Sequence, residues 1–212
     1  SIFIHLDQKM SHYIKILADD IFGKSNFRNE IIWHYGGPSP VKSAFARKHD
    51  VILNYTKSAS NSFFQSQYGD LPQYLIDRAR KDDDGRLWVD QNLGKVSREK
   101  VEELRREGKI FITSAGKFRR KQYLDEMGGA QLDDVWNIPI INSQAKEDLG
   151  YPTQKPEGLL ERIIKAASKE GDIVMDFFGG SGVTMAVAEK LGRRWIICDL
   201  GKLAYFTMQK RI

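Results

Sequence analysis

Along this chain the apolar residues fall into two rhythms. Met10, Tyr13, Ile14, Leu17 and Ile21 recur at three- and four-residue intervals, the spacing of one helix face. Asp7 precedes them as a cap and Gly23 follows as a stop, so a helix is predicted from Asp7 to about Phe22, buried along that stripe. Leu159, Leu160, Ile163, Ile164 and Ala167 repeat the pattern after Pro156, and 185–191 is a third helical stretch. The other rhythm is the short continuous apolar run of a strand, at 2–6, 31–35, 49–57, 172–176 and 194–199. Runs of this kind suit parallel strands covered on both faces. Between 58 and 134 the apolar residues thin out and the charges mix, as in Arg78-Ala79-Arg80-Lys81-Asp82-Asp83-Asp84. A surface helix over 99–108 and a strand over 109–112 are predicted there.

The densest chemistry lies where two of these strands end. The run 172–176 stops at Asp176, and Phe177-Phe178-Gly179-Gly180-Ser181-Gly182 leads into the helix at 185–191. Strand, glycine turn and helix form the opening unit of a nucleotide-cofactor domain. A side chain at Gly180 or Gly182 would keep the backbone from approaching a ligand. The next strand also ends in an acid, Asp199, placed where one carboxylate can accept from two ribose hydroxyls. A dinucleotide fingerprint wants a small residue three positions after Gly182, and Met185 stands there. A phosphate loop wants Gly-Lys-Ser/Thr, and no lysine follows Gly182. A nucleoside cofactor without a pyrophosphate remains, and S-adenosylmethionine fits. The plainer reading is a tight strand-to-helix turn with no ligand.

Composition changes this picture little. With 212 residues the chain can bury a full core in one domain, or in one domain carrying an insertion. It is 41% hydrophobic and 29% charged, ordinary values for a globular protein, with no apolar run long enough for a membrane span. Its net charge of +5 is compatible with a polyanionic partner. Cys198 is the single cysteine, expected mid-strand and buried, so neither a disulfide framework nor a cysteine metal site is available. His5, His12, His34 and His49 show no metal-ligand spacing, no metal is expected, and a reducing cytoplasm is the expected location. Lys117-Phe118-Arg119-Arg120-Lys121-Gln122-Tyr123 interleaves cations with rings, a pattern suited to phosphate contacts beside a stacking ring. A solvated charged face is the alternative.

Upstream of the glycine turn stands Tyr151-Pro152-Thr153-Gln154-Lys155-Pro156, preceded by Asn142-Ser143-Gln144-Ala145-Lys146-Glu147. Thr153-Gln154-Lys155-Pro156 followed by Asp176-x-Phe178-x-Gly180-x-Gly182 resembles the DNA amino-methyltransferases, which methylate adenine N6 or cytosine N4. The order resembles their β group, where the catalytic half comes first and the cofactor half last. The likeness is specific over 135–199, looser over 1–57 and weak between. Phe177 departs from a frequent proline and Val183 from a frequent threonine. The resemblance implies an α/β, Rossmann-like S-adenosylmethionine-dependent methyltransferase fold, circularly arranged, with residues 1–57 in the catalytic half, 58–134 as an inserted target-recognition region and 135–212 as the cofactor half. It implies cofactor contacts by Thr153, Lys155, Asp176, Phe178, Gly180, Gly182 and Asp199, with Lys155 offsetting the methionine carboxylate. It implies double-stranded DNA with a flipped base as partner, contacted by Lys117, Arg119, Arg120 and Lys121. Tyr55 is a candidate to stack on that base, with packing inside the sheet as its alternative. A restriction endonuclease subunit is a further partner of such enzymes.

The family's catalytic element is an acid or asparagine, two prolines and an aromatic residue. Pro38, Pro40, Pro72, Pro139, Pro152 and Pro156 are the prolines here, and no two are adjacent. In the family's order that element precedes Ser1, and the chain opens directly on a strand, so a fragment is expected: incomplete, without catalytic residues of its own, and inactive alone. The absent strand belongs between 2–6 and 172–176, so a distorted or gapped sheet is expected there. Two rivals stand beside this reading: a dinucleotide-dependent oxidoreductase, which Met185 disfavours, and a non-catalytic nucleic-acid-binding module that kept the fold.

Overall fold

The computed structural model describes residues 1–38, 40–58, 60 and 62–211. The chain begins with β1 (Ile2–Leu6), α1 (Ser11–Phe22), β2 (Phe27–His34) and β3 (His49–Tyr55). It then builds a separate unit from β4 (Tyr68–Gly69), α2 (Gln73–Asp77), β5 (Arg80–Lys81), β6 (Leu87–Asn92), α3 (Arg98–Arg106), β7 (Ile110–Ile112), β8 (Phe118–Tyr123) and β9 (Ala130–Gln131). It returns through β10 (Val135–Asn137), α4 (Glu157–Ala167), β11 (Ile173–Asp176), α5 (Val183–Lys190), β12 (Arg194–Ile197) and α6 (Lys202–Arg211). The first unit comprises Ser1–Gln67 and Asp133–Ile212, and the second Tyr68–Leu132.

The first unit holds two sheets. One has the order β1-β3-β2-β10, with β3 antiparallel to β1 and β2, and β10 parallel to β2. The C-terminal ends of β1, β2 and β10 therefore share one edge. Its side chains alternate as a sheet with two covered faces requires. Val51, Leu53 and Tyr55 pack with Ala18 of α1, whereas Ile31, Trp33, Ile52 and Trp136 pack with Leu159 of α4. The other sheet is β11 and β12 alone, parallel and in register from Ile173↔Arg194 to Asp176↔Ile197. Val174 and Trp195 turn inward onto Ile164, Val183 and Val187. Helix α4 thus serves both sheets, through Leu159 on one side and Ile164 on the other. Among the described residues neither β1 nor β11 pairs on its second edge, and the two sheets stay apart.

Two expectations are corrected here. Helix α1 starts at Ser11, because Asp7 Oδ1 accepts from the N–H of Lys9 and Met10 in a turn before it. It packs through Ser11 and Ala18, so its expected buried stripe is largely outside, with Tyr13 68% and Ile21 73% exposed. Ala18 and the partly buried Phe22 are the side chains that it sets against Val51, Leu53 and Tyr55. Cys198 lies just past the end of β12 and is exposed, because that strand stops at Ile197 and the chain turns there.

In the second unit Leu75, Val89 and Leu124 form the core under a sheet of order β5-β6-β8-β7. Ser97 caps α3 by accepting from the Lys100 N–H. Residues 62–67 belong to the first unit, where Gln65 N–H donates to Ala166 O and Gln67 Nε2 to Arg162 O.

Candidate functional site

The two acids at the ends of β11 and β12 hold the glycine turn in shape. Asp176 Oδ1 accepts from the Phe178 N–H at 2.9 Å, and its Oδ2 accepts from Thr184 Oγ1 at 2.6 Å. Asp199 joins two loops: Oδ2 accepts from the Gly180 N–H at 2.9 Å and Oδ1 from the Gly201 N–H at 2.7 Å. Those amide hydrogen bonds, Gly201 first and then Gly180, hold its carboxyl below the usual carboxylate range. A carboxylate oxygen accepting one amide keeps a further lone pair, so Asp199 remains an acceptor for hydroxyls. Gly182 has φ +75° and Gly180 +52°, and a Cβ on Gly179 would collide with Ile197. Arg211 Nε donates to Ser181 O at 2.7 Å and tightens the turn from the side of α6. Phe178 stands 90% exposed beside the acids, and Leu200 is fully exposed on the other loop. Met185 is buried against Ala204 and Met208, so α6 closes the place where a dinucleotide turn keeps a small residue.

The loop before α4 reaches both sheets. A Cβ on Gly180 would meet the Tyr151 ring at 3.4 Å, and Lys155 Nζ sits 5.6 Å from the Trp33 ring centroid. Thr153 has φ +64°, the one positive value at a non-glycine among the described residues. Such strain persists where the surroundings impose it. The next residue, Gln154, is fixed by donating to Glu147 O and accepting from the Leu149 N–H. Lys155 is largely withdrawn from water, which lowers its pKa against the opposing pull of Asp50. Asp50 Oδ2 lies 2.9 Å from His5 Nε2, the Tyr35 hydroxyl bonds to Asp50, and the His5 ring stands edge-on to Trp33 at 5.5 Å. These five groups gather at the C-terminal ends of β1 and β2, the edge of an α/β sheet where ligands bind.

The structure brings Asp176, Phe178, Gly180, Gly182 and Asp199 together. It places Lys155 at the end of the four-stranded sheet and leaves Thr153 exposed, while Tyr151 makes the contact with the glycine turn. Tyr55 is corrected: it is 0% exposed, its hydroxyl donates to Asp19 at 2.7 Å, and Phe22 and Phe27 flank its ring. A ring sealed this way cannot stack on a base. In the second unit Arg119 pairs with Asp90 and Asn92, and Lys121 with Asp82. Lys117 is exposed, and the buried Nε of Arg120 has no partner. Sequence reasoning missed His5, Asp50, Trp33, Tyr35 and Arg211. The available signal was a histidine within the apolar run of β1 and an acid opening β3.

A glycine turn held by two acids at the ends of parallel strands, and leading into a helix, has the form of a nucleotide-cofactor turn. A family model for DNA methylases of the N6/N4 class matches residues 1–210, and the chain belongs to that family. It is 28% identical to the type II methyltransferase M.EcaI of Enterobacter cloacae, over 100% of this chain and 52% of that protein. It is 30% identical to the type II methyltransferase M.HpaI of Haemophilus parainfluenzae, over 99% of this chain and 52% of that protein. The chain thus spans about half the length of these relatives. Among solved structures, the PvuII cytosine-N4-specific DNA methyltransferase superposes with a TM-score of 0.56 at 15% identity, over 97% of this chain and 57% of that one. The M1.HpyAVI–SAM complex gives 0.53 at 18% identity, over 99% and 72%. The fold is the Rossmann-like methyltransferase fold.

Proposed function

We propose that the protein to which this chain belongs is a site-specific DNA methyltransferase, using S-adenosylmethionine to methylate the exocyclic amine of adenine or cytosine. The observation that carries this reading is Asp199, an ionised acceptor fixed by two amides beside a turn of three glycines. The cofactor fits these residues: Asp199 meets ribose hydroxyls, Phe178 and Leu200 offer apolar walls, and the glycines allow close backbone approach. Lys155 is a cation near enough to the strand ends to offset a carboxylate. When bound, the cofactor supplies an electrophilic sulfonium methyl. What this chain contributes is binding and orientation, and the amine would be held in line by groups outside these 212 residues. The target base leaves the stack because its amine is out of reach within a duplex. No helix among the described residues is long and apolar enough to cross a membrane, which agrees with work in the cytoplasm. A restriction endonuclease is the natural companion of such an activity.

The second unit is the proposed target-recognition region. Arg119 and Lys121 are already paired with acids, so the exposed Lys117 is the better-placed phosphate contact of that cluster.

Calorimetry tests the cofactor reading. S-adenosylhomocysteine should bind and NAD should not. Asp199→Asn should weaken binding about ten- to a hundredfold, the value of a charge-assisted hydrogen bond of roughly 1.5–3 kcal/mol. Binding of NAD in place of S-adenosylhomocysteine would overturn it.

A further inference from the structure

We propose that loop 40–48 is a wedge into duplex DNA, with Phe45 pressed between neighbouring bases and Lys42 and Arg47 on the flanking phosphates. The inference rests on the function proposed above and deepens it by naming a contact surface outside the second unit. Phe45 is 99% exposed, a whole phenyl ring without a protein partner to cover it. Between Gly36 and Lys48 the sequence carries Lys42, Arg47 and Lys48 and no acid. The base of the loop is anchored: the Tyr35 N–H donates to Lys48 O at 3.1 Å, and Lys48 Nζ to Pro38 O at 2.6 Å. The loop joins the end of β2 to the start of β3, so it projects from the sheet edge that carries His5, Trp33 and Lys155.

An exposed ring alone asks for apolar cover, and a cationic loop alone asks for an anion. A DNA duplex supplies both, through base faces opened at a step and the phosphates on either side. A second copy of this chain docking here about a two-fold axis would set two acid-free cationic loops against each other, which like-charge repulsion opposes. The observations therefore favour DNA.

The test uses the full-length protein and a fluorescent duplex bearing 2-aminopurine, titrated at several salt concentrations. Phe45→Ala should weaken binding about tenfold, within the ~1–3 kcal/mol measured for an aromatic ring stacked on a base, and leave the salt slope unchanged. With the 2-aminopurine placed away from the flipped target base, it should also remove the fluorescence rise that reports unstacking. Lys42→Gln combined with Arg47→Gln should reduce the log–log salt slope by about two, at roughly 0.9 per phosphate contact. Unchanged S-adenosylhomocysteine affinity would show that both variants remain folded. If the unsubstituted protein binds DNA and both variants match it in affinity and slope, the loop is no DNA contact. If Phe45→Ala changes sedimentation and leaves DNA affinity intact, the ring serves self-association and the inference falls. Failure of the unsubstituted protein to bind any duplex would sink the proposed function, and this inference with it.

Discussion

The two sheets of the first unit share a helix but not a fate. The four-stranded sheet is covered twice, by Ala18 of α1 on one face and Leu159 of α4 on the other, and Leu53 and Tyr55 are wholly withdrawn from water. The β11–β12 sheet is covered once. Val174 and Trp195 face α4 and α5, while Ile173, Met175 and Ile196 on the opposite face remain about half exposed. Yet both sheets are written in the same residues, continuous apolar runs suited to strands with two covered faces. The outward face of α1, with Tyr13, Ile16, Leu17 and Ile21, adds to the uncovered apolar surface. Apolar side chains exposed in this number suit a surface that meets a partner or a further element.

The largest expected effect breaks or confirms that contrast directly. Leu53→Ala removes a fully buried side chain and should cost about 2–5 kcal/mol of stability. Met175→Ser, made in the 212-residue chain alone, should cost within about 0.5 kcal/mol, because the side chain already meets water. Urea unfolding measures both. In the full-length protein the cost of Met175→Ser should rise above 2 kcal/mol if a further layer covers that face. Equal costs for Met175→Ser in the two forms would leave the face bare by design.

A smaller effect separates the glycine turn from an ordinary turn. Gly182 and Gly108 both have positive φ, +75° and +67°. A Cβ on Gly182 would lie 2.9 Å from Met208 Cγ, whereas at Gly108 nothing lies within 4 Å. Gly108→Ala should therefore cost only the backbone strain, about 1–2 kcal/mol. Gly182→Ala adds overpacking against α6, about 1–3 kcal/mol more, and should also weaken S-adenosylhomocysteine binding. Thermal unfolding with and without that ligand checks both. Equal costs at the two positions would mean that α6 yields freely at the turn.

These contrasts also show what the sequence could reveal. Helix α4 was legible in stripe and bounds because Pro156 starts it and its apolar face is the one it buries. The glycine turn was legible because strand, acid, glycines and helix are contiguous. Helix α1 misled because periodicity reports a face able to be buried, not the neighbour that buries it. Here Ala18 and Phe22 meet the sheet, while Tyr13, Ile16, Leu17 and Ile21 stay exposed. Tyr55 misled in the other direction, since a ring at a strand end suits stacking or packing equally until Asp19 and its partners come together in space. The pairing of Arg119 with Asp90 was hidden because the two residues lie 29 apart in sequence, on different strands.

The smallest effect concerns pH and the buried edge of the doubly covered sheet. His5 is held neutral, first by burial and then by the nearby Lys155 ammonium, against the opposing pull of Asp50. Gln8 braces the neighbouring strand end by donating to His49 O. The folded pKa of His5 therefore lies below its ordinary value near 6.5. Between those two values the unfolded chain carries a proton at this residue and the folded chain does not. Stability from keeping His5 neutral is thus fully present above about pH 6.5 and is lost as pH falls toward the folded value. Urea midpoints should decline from pH 7.5 to 5.5, and His5→Gln should flatten part of that decline by removing the titrating ring while keeping a donor for Asp50. The β11–β12 sheet carries no such group among the residues of its two strands, so the flattening should follow His5 and not Met175→Ser. An identical pH slope in His5→Gln and the unsubstituted protein would leave the His5–Asp50 pair without a role in stability.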